Sequence, residues 1–278
     1  MHKEPQSFLN KVFDFYIFSN IHVAIATFSL TKITLLNIGI SENKTALFVF
    51  FSTILSYNGI RFLRLNSIDF WYKNWIKSNK KTLLFLNVIA LLALLYLSFN
   101  LRLKAILILI PFSLATLFYT FPTKKFALRN IAGLKLFLIA FTWVGITVIF
   151  PLIQNYLQLQ TNEWLTVFQQ FLFVIAITLP FDIRDVDLDD PILKTIPQQV
   201  GVYKTKVIGI LLLILFFFLE FTKQYIQAKT LLILLIISSL SVIFLVNSTK
   251  NQSKYYSSFF VESVPIIWFA LLWMTSNT

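Results

Sequence analysis

The segment FDIRDVDLDD, residues 181–190, directly follows an apolar run and contains five of the chain's twelve acidic residues. Uncompensated carboxylates close to hydrocarbon are energetically costly and tend to be kept only where they serve a function. This acidic segment is therefore the first candidate site. The apolar run that leads into it, near 163–181, is long enough to cross a bilayer.

The composition of the whole chain also predicts a membrane environment. Of its 278 residues, 57% are hydrophobic and 17% are aromatic, whereas soluble domains are roughly 45–50% apolar. We expect an all-α, polytopic membrane protein that forms a single domain over residues 1–278. The net charge of +12 is spread between apolar runs, which argues against a nucleic-acid partner. The chain has no cysteine and only two histidines, which disfavours disulfides and a histidine-built zinc site.

Apolar windows of about 20 residues predict nine transmembrane helices. They lie near 14–36, 45–66, 82–100, 104–121, 131–151, 163–181, 207–221, 230–247 and 258–276. The longer polar loops follow helices two, four, six and eight and carry most of the Lys and Arg residues. By the positive-inside rule, the N-terminus and the acidic segment are cytoplasmic and the C-terminus is outside. We expect this orientation in a bacterial inner membrane.

Helical phase separates the carboxylates of the acidic segment into two groups. If the sixth helix continues through the segment, Asp182, Asp185 and Asp189 share one face, because each residue advances the helix by about 100°. Asp187 and Asp190 are then solvated neighbours. Three aligned carboxylates offer hard oxygen ligands that suit Mg²⁺, which also takes phosphate oxygens. The alternative is a charged helix end that only stops the span at the membrane surface.

Cations from three predicted cytoplasmic loops converge on the same membrane face. They are Arg61 and Arg64, then Lys124, Lys125, Arg129 and Lys135, and finally Lys204 and Lys206. Each cation alone is typical of a positive-inside anchor. Together with the carboxylates, they favour an amphiphilic, phosphorylated substrate.

Two segments of the sequence resemble motifs of a known family. DIRDVDLDD, followed by KTIPQQVG, resembles the second Asp-rich motif of the UbiA-type intramembrane prenyltransferases, with Asp182, Asp185 and Asp189 at its carboxylate positions. The stretch from Tyr119 to Lys135 resembles the family's loop after helix four. With nine predicted helices, the resemblance extends over most of the chain.

The resemblance implies nine helices around a central, laterally open cavity. It also implies that Mg²⁺ bridges Asp182, Asp185 and Asp189 to a polyprenyl diphosphate, whose departure leaves an allylic cation for a lipophilic, often aromatic, acceptor to attack. Metal and basic side chains would neutralise the leaving group, and apolar walls would keep water from the cation. The candidate substrate-binding residues are Asn58, Arg61, Tyr119, Lys124, Lys125, Asn130 and Lys194.

The first Asp-rich motif of the family is altered here. It normally reads as an Asn followed at four and eight residues by Asp, but the corresponding positions hold Asn58, Phe62 and Asn66. Asp69 replaces a missing carboxylate only if helix two continues unbroken. Three hypotheses follow: a prenyltransferase with an altered metal site, a non-catalytic protein that binds an isoprenoid or lipid or serves as a membrane partner, and an isoprenoid cyclase.

Overall fold

The computed structural model describes residues 7–63, 65, 70–119, 128, 131–155, 157–224 and 226–276. Every regular element within these ranges is helical, which confirms the predicted all-α class. The α-helices are α1 Phe8–Phe18, α2 Ile21–Asn37, α3 Lys44–Leu63, α4 Phe70–Ser78, α5 Lys80–Ser98, α6 Leu103–Tyr119, α7 Leu134–Val144, α8 Phe150–Gln154, α9 Thr161–Arg184, α10 Ile196–Phe218, α11 Ala228–Asn247 and α12 Val264–Ser276.

Seven stretches of the described chain are long and apolar enough to cross a membrane. They are Lys44–Leu63, Lys80–Ser98, Leu134–Gln154, Thr161–Arg184, Ile196–Thr222, Ala228–Asn247 and Tyr256–Thr275. The number becomes eight if α1 and α2, which are bent by 51°, form one span. Helix α6 is also apolar, but its 17 residues make it shorter than these seven stretches. The chain therefore has the build of an integral membrane protein, and the number nine stays a prediction.

The largest error in the predicted spans is the start of the seventh. The apolar window begins at 207, whereas α10 begins at Ile196 and is kinked at Gly201, whose φ of 81° is not helical. Thr195 and Gln198 form a capping box there, in which the Thr195 backbone N–H donates to Gln198 Oε1 at 2.9 Å. A capping box and an early Pro197 start a helix through local hydrogen bonding and a fixed φ angle, neither of which is apolar. A hydropathy window therefore misses the polar first turns of α10.

The main core forms where α9 packs against its neighbours. Phe173 of α9 contacts Phe216 of α10 and Trp268 of α12, with ring centroids 5.2 and 5.1 Å apart. All three side chains are buried, and such aromatic contacts add to the stabilisation that burial itself provides. Helix α9 is thus fixed at the centre of the bundle, and the acidic segment begins at its C-terminal end.

In the part of the chain that the structure describes, two turns of π-helix interrupt the spans, at Gly145–Ile149 and Tyr256–Val261. Gly145 is required by close packing, because a Cβ atom there would lie 2.2 Å from the Phe112 ring of α6. The second π-helical turn ends directly before Glu262 and α12. Such turns are frequent at functional sites, and both lie beside the cavity described next.

Candidate functional site

A cavity of about 730 Å³ opens between α2, α3, α6, α7 and the C-terminal end of α9. This volume lies in the usual range of small-molecule sites, about 300–1,000 Å³. Helix α3 lines it along its length, with Phe48 near the first turn and Arg61 in the last. At a rise of 1.5 Å per residue these two positions are about 20 Å apart. We call this space the central cavity.

The two ends of the central cavity differ in polarity. Six charged side chains among the described lining residues lie towards one end: Arg61, Lys135, Arg184, Asp185, Asp189 and Glu262. The rest of the wall is mainly apolar and includes Phe48, Val49, Leu109, Phe112 and Ile146. Three cations and three carboxylates thus meet at the end of a hydrophobic channel, an arrangement that suits an amphiphile with an anionic head.

The acidic segment does not continue α9 as one helix. Helix α9 ends at Arg184, Asp185 is its C-terminal cap, and a 3₁₀ turn follows at Pro191–Leu193. One further helical hydrogen bond forms, from the Asp189 N–H to the Asp185 carbonyl at 2.7 Å. Asp190 then accepts from the Ile192 N–H at 3.0 Å, which starts the 3₁₀ turn instead. Asp185 and Asp189 still reach the same cavity wall.

Lys135 joins two of the predicted metal-binding carboxylates. Its Nζ lies 2.8 Å from Oδ1 of Asp182 and 2.5 Å from Oδ2 of Asp189. Gly133, just before α7, has φ of 74° and donates its N–H to the Leu193 carbonyl at 2.8 Å, so the start of α7 is tied to the acidic segment. Asp182 is 1% exposed and lies behind Lys135, outside the cavity lining.

The remaining carboxylates of the segment have different partners. Asp185 accepts two hydrogen bonds from Arg184, from Nε at 2.7 Å and from Nη2 at 3.0 Å. Asp187 pairs with Lys250 at 3.0 Å, and its side chain is 69% exposed. Helical phase therefore identified Asp187 correctly as a solvated neighbour.

The geometry permits a test of whether these residues fit Mg²⁺. Asp185 and Asp189 supply the two wall carboxylates that Mg²⁺ commonly takes beside phosphate oxygens. Asp182 Oδ2 is buried without a hydrogen-bond partner in the described chain, but Lys135 already lies between Asp182 and Asp189. Within the described ranges, no three His, Cys, Asp or Glu residues are grouped closely enough for a metal ion. Asp185 and Asp189 are the residues that would hold Mg²⁺ at the cavity wall, and the predicted set of three carboxylates is not grouped closely enough for one ion.

The predicted substrate-binding residues fall into three groups. Arg61 and Tyr119 line the central cavity. Asn58 is buried outside the lining, where Oδ1 accepts from Asn20 at 2.7 Å and Nδ2 donates to Asn87 at 3.2 Å. Lys194 is exposed and outside the lining, in a left-handed conformation with φ of 43°. Lys124, Lys125 and Asn130 lie outside the described residues, as do Arg64, Asn66, Asp69 and Arg129.

Arg61 is fixed in place by the break between α1 and α2. Its Nη1 donates to the Phe18 carbonyl at 2.7 Å, and the Tyr72 hydroxyl donates to the same oxygen at 3.0 Å. The guanidinium also lies over the Tyr72 ring, 4.7 Å from its centroid. Asn20, with φ of 69°, makes the turn that follows Phe18. Arg61 is thus held at the cavity wall by backbone and aromatic contacts, and no carboxylate among the described residues contacts it directly.

Sequence reasoning missed three residues of this site. The sequence marks Lys135 and Arg184 only as cations of predicted cytoplasmic loops, and it places Glu262 inside the predicted window 258–276 without a role. A signal for Glu262 was present, because an ionisable residue within a predicted span is by default a functional candidate. The partners of Lys135 depend on how α7 packs against α9 and the acidic segment, which no local pattern shows.

The fold and the site together define an all-helical membrane protein with a central cavity that is charged at one end. No family model matches the sequence, and no curated protein does so either. Among solved structures, the chain is similar to a UbiA homolog from Archaeoglobus fulgidus bound to GPP and Mg²⁺, with a TM-score of 0.60 and 12% identity. The match covers 94% of this chain and 100% of the other. The protein therefore has a UbiA-like fold.

Proposed function

We propose that this protein is an intramembrane prenyltransferase that uses Mg²⁺ and moves a prenyl group from a polyprenyl diphosphate to an aromatic or lipidic acceptor. The observation that carries the proposal is the polarity of the central cavity, whose apolar wall ends in the cations Arg61 and Arg184 and the carboxylates Asp185 and Asp189. A prenyl diphosphate has the same two parts, a hydrocarbon tail and an anionic head. The fold shared with a structure that contains GPP and Mg²⁺ supports this choice of donor.

The charged end would bind the diphosphate and favour its departure. Arg61, Arg184 and Lys135 supply cationic donors to phosphate oxygens, and such contacts strengthen as negative charge develops on the leaving group. Mg²⁺ held by Asp185 and Asp189 would supply further neutralisation of that charge. Asp182 acts indirectly in this scheme, since it holds Lys135 in place from behind.

The middle of the cavity would protect the allylic cation. Tyr57 and Trp143 both line the wall, and Trp143 Nε1 donates to the Tyr57 hydroxyl at 3.0 Å. This hydrogen bond fixes two aromatic rings beside the path of the prenyl chain. Aromatic faces attract cations, and the surrounding apolar side chains exclude water that would otherwise trap the cation.

The direct test uses purified protein, Mg²⁺ and a panel of prenyl diphosphates of increasing chain length. We expect saturable binding by calorimetry and, with an aromatic acceptor present, release of diphosphate that EDTA abolishes. If no member of the panel bound to the protein and none released diphosphate, the proposal would be wrong. The distribution of Lys and Arg leads us to propose further that the charged end faces the cytoplasm of a bacterial cell, with the C-terminus outside.

A non-catalytic isoprenoid-binding protein is the second candidate, and the altered first motif favours it. Restoring both carboxylates, with Phe62→Asp and Asn66→Asp in one variant, separates the two. If the protein is an enzyme, we expect the wild type to turn over and the double variant to change its rate only modestly. Wild-type protein that binds the donor without turnover, together with turnover by the double variant, would identify a protein that has lost the reaction.

A further inference from the structure

A second cavity lies at the other end of the helix bundle, away from the charged end of the central cavity. It is formed by the C-terminal ends of α2 and α12, the N-terminal half of α9, the turn after α10 and the start of α11. Its volume of about 390 Å³ is within the usual range of small-molecule sites. At a rise of 1.5 Å per residue, Gln170 of this cavity lies about 20 Å along α9 from Arg184. The two cavities share no lining residue among those that the structure describes, and we call this one the opposite cavity.

Gln170 brings an unpartnered acceptor to the opposite cavity. The residue is 3% exposed, and its Nε2 donates to the Thr147 hydroxyl at 2.8 Å. That hydroxyl gives its own hydrogen to the Trp143 carbonyl at 2.6 Å, so it can only accept from Gln170, which fixes the orientation of the amide. Oε1 of Gln170 then accepts no hydrogen bond within the described chain. Because a buried carbonyl oxygen without a donor is costly, this position favours a bound molecule that donates.

Glu220 provides a second acceptor in the same cavity. It lies in the turn after α10 and is 5% exposed. Its Oε2 accepts from Gln169 Nε2 at 3.0 Å and from Lys223 Nζ at 2.8 Å. Lys223 also donates to Gln169 Oε1 at 2.8 Å, which closes the triangle. Oε1 of Glu220 has no partner among the described residues, and a carboxylate oxygen in such a site favours a positively charged donor.

The rim of the opposite cavity favours the opposite charge. Lys229 is exposed in the first turn of α11 and makes no hydrogen bond or ion pair within the described chain. Gln227, the N-cap residue, donates or accepts no capping hydrogen bond through its side chain. A cation at a helix N-terminus attracts an anion, and phosphate above all. The charged side chains of the described lining are Glu163, Glu220, Lys223 and Lys229, so a ligand without net charge matches their balance.

We propose that the opposite cavity binds a phosphoethanolamine group, whose primary ammonium donates to Glu220 and Gln170 and whose phosphate contacts Lys229. The group is zwitterionic, as the balanced lining requires. It is available as the head group of phosphatidylethanolamine in the surrounding bilayer or as a free soluble compound. Leu234 and Leu272 add apolar surface to the lining, which suits the first carbons of a lipid. This binding site does not depend on prenyl transfer.

The first experiment compares two lipids that differ only in their hydrogen-bond donors. Full-length protein in detergent is titrated with dioleoyl phosphatidylethanolamine and dioleoyl phosphatidylcholine, and bound lipid is counted by native mass spectrometry. Both lipids have the same acyl chains, phosphate and net charge, but the choline head group has no N–H. We expect a preference of about tenfold or more for phosphatidylethanolamine, since a hydrogen bond to a charged group is worth this much. Lipid on the outer apolar surface of the bundle contributes no such preference.

Three variants of the opposite cavity separate the two parts of the head group. Glu220→Gln keeps the side-chain shape and removes the charge, and Gln170→Leu removes an acceptor, so each should reduce the preference to about threefold or less. Lys229→Gln should weaken both lipids equally and keep the preference, because both contain the phosphate. The matched control is Lys104→Gln at the start of α6, a cation outside the lining, which should behave as the wild type. If Glu220→Gln does not fold, Gln170→Leu decides the outcome.

Free phosphoethanolamine and phosphocholine distinguish the two sources of the group. Thermal unfolding of the protein with each compound at millimolar concentration shows whether the head group alone binds. Stabilisation by phosphoethanolamine only would support a soluble ligand, whereas a preference seen only with the lipids would support phosphatidylethanolamine. No prenyl diphosphate is used in any of these measurements, so a failure of the proposed function is recorded separately.

Three results would overturn the proposal. The first is equal binding of the two lipids by the wild type together with equal effects of the two soluble compounds. The second is a full preference in both Glu220→Gln and Gln170→Leu. The third is loss of the preference in Arg61→Met, a variant of the central cavity, because the lipid head group would then lie in that cavity.

Discussion

Replacing Asp185 by Asn should abolish Mg²⁺-dependent release of diphosphate, with a fall of about 100-fold or more, because a metal-binding carboxylate and its charge are removed together. Asn has nearly the same shape as Asp, so the wall of the central cavity should be preserved. Asp185 is also the bidentate partner of Arg184. The variant removes the negative charge that Arg184 contacts and leaves the cations of the charged end in place, so donor affinity should fall less than the rate of release.

The control for Asp185→Asn is Asp187→Asn in the same segment. Asp187 is 69% exposed and pairs only with Lys250 among the described residues, and exposed pairs of this kind contribute about 0–1 kcal/mol. Its rate and Mg²⁺ dependence should match those of the wild type within twofold. Equal losses in both variants would show that the segment acts through its total charge. Wild-type Mg²⁺ dependence in Asp185→Asn would remove Asp185 from the metal site.

The positions of most spans could be predicted because hydropathy is a local property. The predicted window 163–181 lies within α9, and the window 45–66 overlaps α3 almost completely. The start of α10 could not be found in this way, since Thr195 and Gln198 begin the helix through polar contacts. The bend between α1 and α2 could not be predicted either. It depends on the left-handed conformation of Asn20, and the sequence has no glycine there to indicate such a turn.

The candidate site was predictable as far as it depends on one segment. Helical phase distinguished Asp187 from the carboxylates of the cavity wall, even though α9 ends before most of them. Phase alone could not show that Asp182 faces Lys135 instead of the cavity. That pairing arises where two helices distant in sequence pack together, and it changes the proposed role of Asp182 from metal ligand to positioning residue.

Asn58, the residue that the altered first motif retains, has a structural role that the sequence alone does not show. Asn58 of α3 is the middle member of a chain of amide side chains that joins Asn20, the residue before α2, to Asn87 of α5. Hydrogen bonds between amide side chains of different elements hold those elements in a fixed arrangement. Asn58 therefore serves helix packing in this protein, and the charge that α3 brings to the cavity is the cation of Arg61, located one turn further along.

The second large effect is a loss of folding stability, which we expect when Lys135 is replaced. Lys135→Met should lower the stability of the folded protein by about 3–5 kcal/mol, because removal of one partner leaves buried charge without compensation. Asp182 is 1% exposed, and Lys135 is the cation that it contacts within the described chain. Asp189 loses the same partner but lies at the cavity wall, where a ligand or water can reach it. Thermal unfolding in detergent, followed by circular dichroism, would measure the change.

A double variant tests whether the loss comes from the unpaired carboxylate. Lys135→Met combined with Asp182→Leu removes both charges and keeps similar side-chain volumes, and replacing a buried ion pair by apolar residues is often neutral or stabilising. The double variant should therefore regain most of the stability that the single variant loses, although donor binding should stay weak because a phosphate-facing cation is gone. Lys250→Met, which removes an exposed partner instead, should leave the melting temperature nearly unchanged. If the double variant were as unstable as Lys135→Met, the ion pair would not explain the loss, and packing of the lysine stem at the start of α7 would be the cause.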